Sequence, residues 1–289
     1  METKNEYRKV LVPVDGSDSS FHALEQAFQF SPTDKSWVTV VCVAPYYQGD
    51  FDTLVDRDFI MSRLRQPCEK ALIKAREIAA RKGYIIKKAL LEDGEPSKRI
   101  VDFADAENHE MIVIGRSGHS NLERVFVGSV TQRVIGHSHG DVVVIPNGVP
   151  LAWKKIMVAT DGSPCSLAAI ERAVHFAKAY DSEIEVVSVA EIPAELYGEA
   201  PGLIEEFERM AKGYADAAVQ ICRDQGITAT SHVIEGVAYK AIPDLAKKLG
   251  SQVIIVGSHG RTGMRRLLMG SVAEKVIGFA SCPVLVARP

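Results

Sequence analysis

Two short glycine-rich stretches carry the residues best suited to chemistry. "GRSGHSNLERVFVGSV" runs from Gly115 to Val130, and "GSHGRTGMRRLLMGSV" runs from Gly257 to Val272. Both have the same internal spacing: Gly115, Gly118, Gly128 and Ser129 in one, Gly257, Gly260, Gly270 and Ser271 in the other. Each follows a strand-length apolar run, "MIVI" or "VIIV". Glycine lets a backbone turn with positive φ and approach a ligand closely. A Gly-Ser pair that opens a helix offers free N–H groups, the positive end of the dipole and a hydroxyl donor, a combination that suits phosphate. The implied ligand is a phosphate ester. The G-x-x-x-x-G-K-[ST] pattern is absent, and G-x-G-x-x-G does not follow the first strand, so neither a Walker A loop nor a dinucleotide fingerprint is present. The alternative reading is a tight strand–helix loop with no ligand, which a duplication would also copy.

An acid accompanies each loop. Asp15 and Asp161 end the first strand of their halves and are each followed by Gly-Ser. If strands one and four are neighbours, this carboxylate faces the glycine loop across a crevice and can accept hydrogen bonds from ribose hydroxyls. Its alternative role is to cap the next helix.

The elements that must position these residues are written twice. "VLVPVDGSDSSFHALEQAFQF" (Val10–Phe30) realigns with "IMVATDGSPCSLAAIERAVHF" (Ile156–Phe176). So long a period marks a duplicated domain rather than a solenoid. The boundary falls in "PNGVPLAWKK", giving domains over residues 1–148 and 149–289. In the first half, the spacing predicts strands at 8–14, 37–43, 84–91, 111–114 and 141–145. Helices are expected over 17–30, 54–82, 96–106 and 129–137, the second of them bent or interrupted at Pro67. The second half repeats the order, with strands at 154–160, 183–189, 227–234, 252–256 and 284–287. Its helices are expected over 164–180, 201–225, 237–249 and 271–279. Alternating strands and helices make the fold α/β, with a parallel sheet covered on both faces in each domain. Ligands of such sheets sit beyond the C-terminal strand ends, where strand order reverses. The last strands, 142–145 and 284–287, are expected at sheet edges that seek partners.

Composition narrows the function classes. The chain has 289 residues, 46% of them hydrophobic and 25% charged, which is ordinary for a globular protein. Its formal net charge of -3 argues against nucleic acid and anionic membranes as partners. No apolar run approaches the roughly 18 residues of a membrane span. The start, "METKNEYRK", lacks the apolar core of a signal peptide. Five cysteines, an odd number without C-x-x-C, favour a reduced, cytoplasmic setting.

Other residues attract attention. The histidines of "GHSHGD" (Gly136–Asp141) read as a surface turn rather than a metal site. Cys165 reads as helix-start packing rather than a nucleophile. Arg116 either clamps a phosphate or faces solvent, and the basic run Arg261–Arg266 either attracts phosphates or is a solvated loop. Tyr46, Tyr47 and Tyr197 are candidate lids over a nucleotide. Phosphoryl transfer needs a positioned metal, a group that orients the attacking water and neutralising charge. Only Asp15, Asp161, Arg116, Arg261 and Arg265 are candidates for such roles, and no base is evident, so any hydrolysis is expected to be slow.

The strings "VPVDGSDSS" and "ATDGSPCS", with the G-x-x-G-x9-G-S spacing, resemble the universal stress protein family. Both halves match, so the resemblance is to its tandem two-domain type and spans nearly the whole chain. It implies an open five-stranded parallel sheet in each domain, order 3-2-1-4-5, with helices on both faces. It implies ATP or AMP as ligand, with Mg2+ a candidate companion of the phosphates. Carried over by position, Asp15 and Asp161 hold the ribose, and Val43 and Val189 flank the adenine. Gly115, Gly118, Gly128 and Ser129 cradle the phosphates, as do Gly257, Gly260, Gly270 and Ser271, with Val130 and Val272 adding an N–H. No catalytic and no metal-ligating residue is assigned. The function so implied is a nucleotide-binding stress-response regulator or sensor. A slow ATPase or phosphotransferase, and a structural assembly module with unoccupied sites, are the alternatives. Internal pairing of the domains through their last strands is implied as well, and a homodimer is a further expectation. The second half stands nearer the family pattern, with "GSHG" and Cys282-Pro283 where the first has "GRSG" and Gly140-Asp141.

Overall fold

The apolar runs become the inner strands of the sheet in each half of the chain. In a computed structural model that describes residues 9–30, 37–46, 57–118, 127–193, 196, 201–261 and 269–289, the chain divides into two compact units, Asn5–Gly148 and Val149–Pro289. The first unit contains β1 (Lys9–Pro13), α1 (Asp18–Ala27), β2 (Trp37–Ala44), α2 (Arg57–Arg81) and β3 (Ile86–Asp93), followed by α3 (Pro96–Ala106), β4 (Met111–Gly115), α4 (Ser129–His137) and β5 (Asp141–Ile145). The second repeats them as β6 (Lys155–Ala159), α5 (Pro164–Tyr180), β7 (Glu183–Ala190), α6 (Pro201–Asp224) and β8 (Ala229–Glu235), then α7 (Ala238–Leu249), β9 (Val253–Gly257), α8 (Ser271–Phe279) and β10 (Val284–Ala287).

All strand pairs within each unit are parallel, and the orders are β3-β2-β1-β4-β5 and β8-β7-β6-β9-β10. β1 pairs with β4 through Val10↔Met111 and Leu11↔Ile112, and β6 pairs with β9 in the same way. Strand order therefore reverses between the first and fourth strands of each unit, which opens a crevice there. Every residue of β4 and β5 is buried, as continuous apolar runs in a two-sided parallel sheet must be. β8, paired with β7 at one end of that order, alternates half-buried and exposed residues along most of its length. Among the described residues no helix is long and apolar enough to cross a membrane.

Two expectations need correction. Of the bend or interruption expected at Pro67, the interruption is absent, because α2 continues through it. Proline lacks only the one N–H that would reach the carbonyl four residues earlier, and the helix keeps the rest of its ladder and its packing on β2 and β3. The reading of reduced thiols also fails at one place, because Cys42 of β2 and Cys68 of α2 are joined as a disulfide. Cys165, Cys222 and Cys282 are free. Burial pushes the Cys222 thiol up to about 11 and the Cys282 thiol up to about 12, so both stay protonated in neutral buffer.

Candidate functional site

Each crevice begins with an Asp-Gly-Ser turn. Gly16 and Gly162 take φ of +90° and +77°, the left-handed conformation that only glycine adopts without strain. The turn lets the following serine cap its helix. Ser17 Oγ accepts the N–H of Ser20, and Ser163 Oγ accepts that of Ser166, both at 3.2 Å. One carboxylate oxygen braces that cap: Asp15 Oδ1 accepts from the Ser17 N–H at 2.9 Å and its hydroxyl at 2.6 Å, and Asp161 Oδ1 accepts the Ser163 N–H at 3.0 Å. The other oxygen, Oδ2, faces the glycine loop. Capping and crevice duties thus fall to different oxygens of the same acid.

The loop glycines answer to space rather than to positive φ, since none of the six takes one. A Cβ on Gly115 would lie 2.6 Å from Ser19 Oγ, and one on Gly257 would lie 2.6 Å from the Cys165 carbonyl oxygen. These first glycines let the opening turn of α1 or α5 press onto the strand end. A Cβ on Gly118 would collide with Asp15 Oδ2, and one on Gly260 would stand 2.7 Å from Asp161 Oδ2. The second glycines therefore leave room for Oδ2 beside the loop. The third glycines fold the loop back: Gly128 N–H donates to the Arg116 carbonyl at 2.8 Å, and Gly270 N–H to the Ser258 carbonyl at 2.9 Å. They are also the N-caps of α4 and α8, and neither receives a side-chain cap. Two helix N-termini are thereby left to meet an anion with backbone N–H groups.

A cavity of about 280 Å³ in the first unit is lined by Asp15, Val43, Gly115, Gly118, Gly128, Ser129 and Val130. Its counterpart of about 330 Å³ in the second is lined by Asp161, Val189, Gly257, Gly260, Gly270, Ser271 and Val272. Every candidate residue thus reaches one cavity or the other. The sequence reading missed the other walls. Val41 and Val187 stand two residues before Val43 and Val189, hence on the same strand face. Pro96 and Ile100 of α3 close the first cavity, and Ala238 and Ile242 of α7 close the second. Phe207, Met210, Ala211 and Tyr214 of α6 also line the second, and their helical i, i+3, i+4, i+7 spacing was the available signal. Thr131 ties α4 to β4 through its hydroxyl, 2.9 Å from the Gly115 carbonyl.

The remaining candidates separate clearly. Arg116 and Tyr46 do not line the first cavity, whereas Arg261 lines the second. Tyr47, Tyr197, Arg265 and Arg266 lie outside the described residues. Cys165 packs at the helix start and accepts a hydrogen bond from Ser258 Oγ at 3.7 Å. His139 pairs with Asp105 at 2.9 Å, and His137 Nδ1 lies 2.8 Å from the Arg133 carbonyl oxygen. Among the described residues no group of His, Cys, Asp and Glu could hold a metal ion. The two cavities also differ. Ser188 and Ala211 line the second, while the corresponding places in the first half carry the joined Cys42 and Cys68.

The chain is similar to known proteins. The family model described as "Universal stress protein family" matches residues 6–146 and again 152–288. A universal stress protein of Methanocaldococcus jannaschii is 35% identical over 149 residues, covering 50% of this chain and 87% of that protein. One from Mycobacterium tuberculosis is 28% identical over 235 residues, covering 78% of this chain and 76% of its own. The crystal structure of a universal stress protein from Archaeoglobus fulgidus superposes with a TM-score of 0.72 at 23% identity, covering 98% of this chain and 99% of that one. That likeness concerns the fold.

Proposed function

The chain belongs to the universal stress protein family, and from that premise we propose that it is a regulator or sensor that binds an adenine nucleotide, ATP or AMP, in each of its units. One repeated observation carries this reading: a carboxylate oxygen faces a loop glycine, and an uncapped helix N-terminus opens into the same cavity. The two walls are chemically opposite, as a nucleotide is. Val41, Val43 and Ile114 offer an apolar slot for a flat base. Asp15 Oδ2 and Asp161 Oδ2 suit ribose hydroxyls as acceptors. The N–H groups of Ser129 and Val130 and of Ser271 and Val272, with the serine hydroxyls, suit phosphate oxygens. Mg2+ would come with the phosphates, because the first cavity's lining supplies one acid, Asp15, and the second's two, Asp161 and Glu191, and no metal-holding group of His, Cys, Asp and Glu occurs among the described residues. The regulatory output rests on nucleotide-dependent shape rather than turnover, and stress response is the role that family membership supports.

The test is direct. Purified protein is denatured, and the released small molecules are identified by chromatography and mass spectrometry. Adenine nucleotide is expected, and stripped protein should regain it. At a free concentration of about 100 Kd, ATP or AMP should add about 2.7 kcal/mol of stability per site, visible as a thermal shift. Asp15→Ala with Asp161→Ala should abolish that shift. If no nucleotide is released and neither ATP nor AMP shifts the melting curve, the reading is wrong.

A further inference from the structure

The second cavity has a device at its rim. The Arg261 backbone N–H donates to Asp161 Oδ2 at 2.9 Å. The same residue's guanidinium donates from Nη1 to the Tyr214 hydroxyl at 2.6 Å and lies over that ring, 5.2 Å from its centroid. The Tyr214 ring packs against Gly162, where a Cβ would strike its Cδ1 and Cε1. One strap therefore runs from α6 to the glycine loop and on to the Asp-Gly-Ser turn. Asp161, Tyr214 and Arg261 all line the second cavity. Arg261 directly follows Gly260, so holding its side chain holds the loop.

The first half cannot build this strap from the same place. α2 and α6 leave through matching turns: Tyr84 N–H donates to the Ala79 carbonyl and Ile227 N–H to the Cys222 carbonyl, with Gly83 and Gly226 at positive φ. Counted back from those glycines, the position of Tyr214 in α6 is that of Ala71 in α2. Ala71 is buried and has no hydroxyl to offer. The duplicated halves thus share the crevice and differ in what crosses it.

We propose that Tyr214 and Arg261 form a latch over the second site, so that one chain holds nucleotide at two sites with different residence times. This rests on the nucleotide reading above. A ligand leaving the second site must part Arg261 from Tyr214, whereas Ala71, at the matching place in α2, offers the first site no hydroxyl for such a tie. Tyr214 and Arg261 act here as positioning residues that govern exchange, with the chemistry of recognition left to the crevice.

The test loads the full chain with radiolabelled ATP, chases with excess unlabelled ATP and follows retention by rapid filtration. Wild type should lose label in two phases. Gly118→Val, which obstructs the first crevice, should leave only the slow one. Tyr214→Phe keeps the ring on Gly162 and removes the hydroxyl, and a lost charge-assisted hydrogen bond corresponds to an acceleration of about tenfold. Only the slow phase should speed up. Arg261→Gln keeps the backbone bond to Asp161 and should accelerate the same phase. The double variant should be no faster than Arg261→Gln alone, since that change removes both the hydrogen bond and the ring contact, of which Tyr214→Phe removes only the first. A slow phase unchanged by Tyr214→Phe, or both phases changed alike, overturns the latch while nucleotide binding stands. Retention of no label by wild type overturns the nucleotide reading itself, and the latch with it.

Discussion

Gly118→Val is expected to empty the first site of adenine nucleotide and leave the second filled, and Gly260→Val is expected to do the reverse. The argument is steric before it is chemical. Neither glycine takes positive φ, so valine fits each backbone and the fold should persist. The first new atom, Cβ, meets the carboxylate instead: Asp15 Oδ2 in one unit, and Asp161 Oδ2 at 2.7 Å in the other. The acid must swing away, or the branched side chain must occupy the crevice. Either way the ribose loses its acceptor, and the loop N–H groups stand off from the phosphates. Loss of one hydrogen bond to a charged group costs about 1.5–3 kcal/mol, which is roughly 10- to 100-fold in affinity. Calorimetric titration with ATP should show the stoichiometry fall by half in each single variant and binding vanish in the double. Unchanged stoichiometry in all three would reassign the second glycine to loop construction alone.

The second large effect concerns stability and falls on one half only. Cys42 and Cys68 close a loop with a sequence separation of 26. In the chain-entropy account such a link destabilises the unfolded chain by about 3.5 kcal/mol. For a domain of this size, each kcal/mol moves the midpoint by roughly 2–4 °C, so reduction should lower the first unit's transition by about 10 °C. Scanning calorimetry with and without a phosphine reductant should show one transition move and the other stay. Cys68→Ser should mimic reduction and become insensitive to it. If both transitions stay in place, the link contributes nothing to the folded balance.

Much of this was readable from local signals. The bounds of α3, α4, α5, α8, β5 and β10 match the sequence reading, because prolines, Gly-Ser pairs or short apolar runs mark their ends. β3 and β8 begin two residues later than their apolar character suggests, at Ile86 and Ala229. The preceding turns, through Gly83 and Gly226, tie Tyr84 and Ile227 back to the helices by hydrogen bonds. The candidate site was legible because its parts sit at strand ends and helix starts, and duplication printed them twice. What stayed hidden depends on distant partners. Cys42 and Cys68 meet only when α2 folds onto β2, and Tyr214 looks like one more stripe residue until Arg261 comes over it. Residues brought together by tertiary packing leave no fixed spacing in the chain.

The start of the second unit has a consequence of its own. Trp153 is 3% exposed and stacks on Phe176, with ring centroids 3.9 Å apart, while Trp37 at the head of β2 is 48% exposed. These are the chain's 2 tryptophans, and each belongs to a different unit. Their emission is therefore spectrally separable: a solvent-relaxed indole glows red of one sealed in an apolar stack. The molecule carries a built-in optical label on each copy of its repeat, in two colours, so the fates of the twin halves can be followed by light without adding a dye.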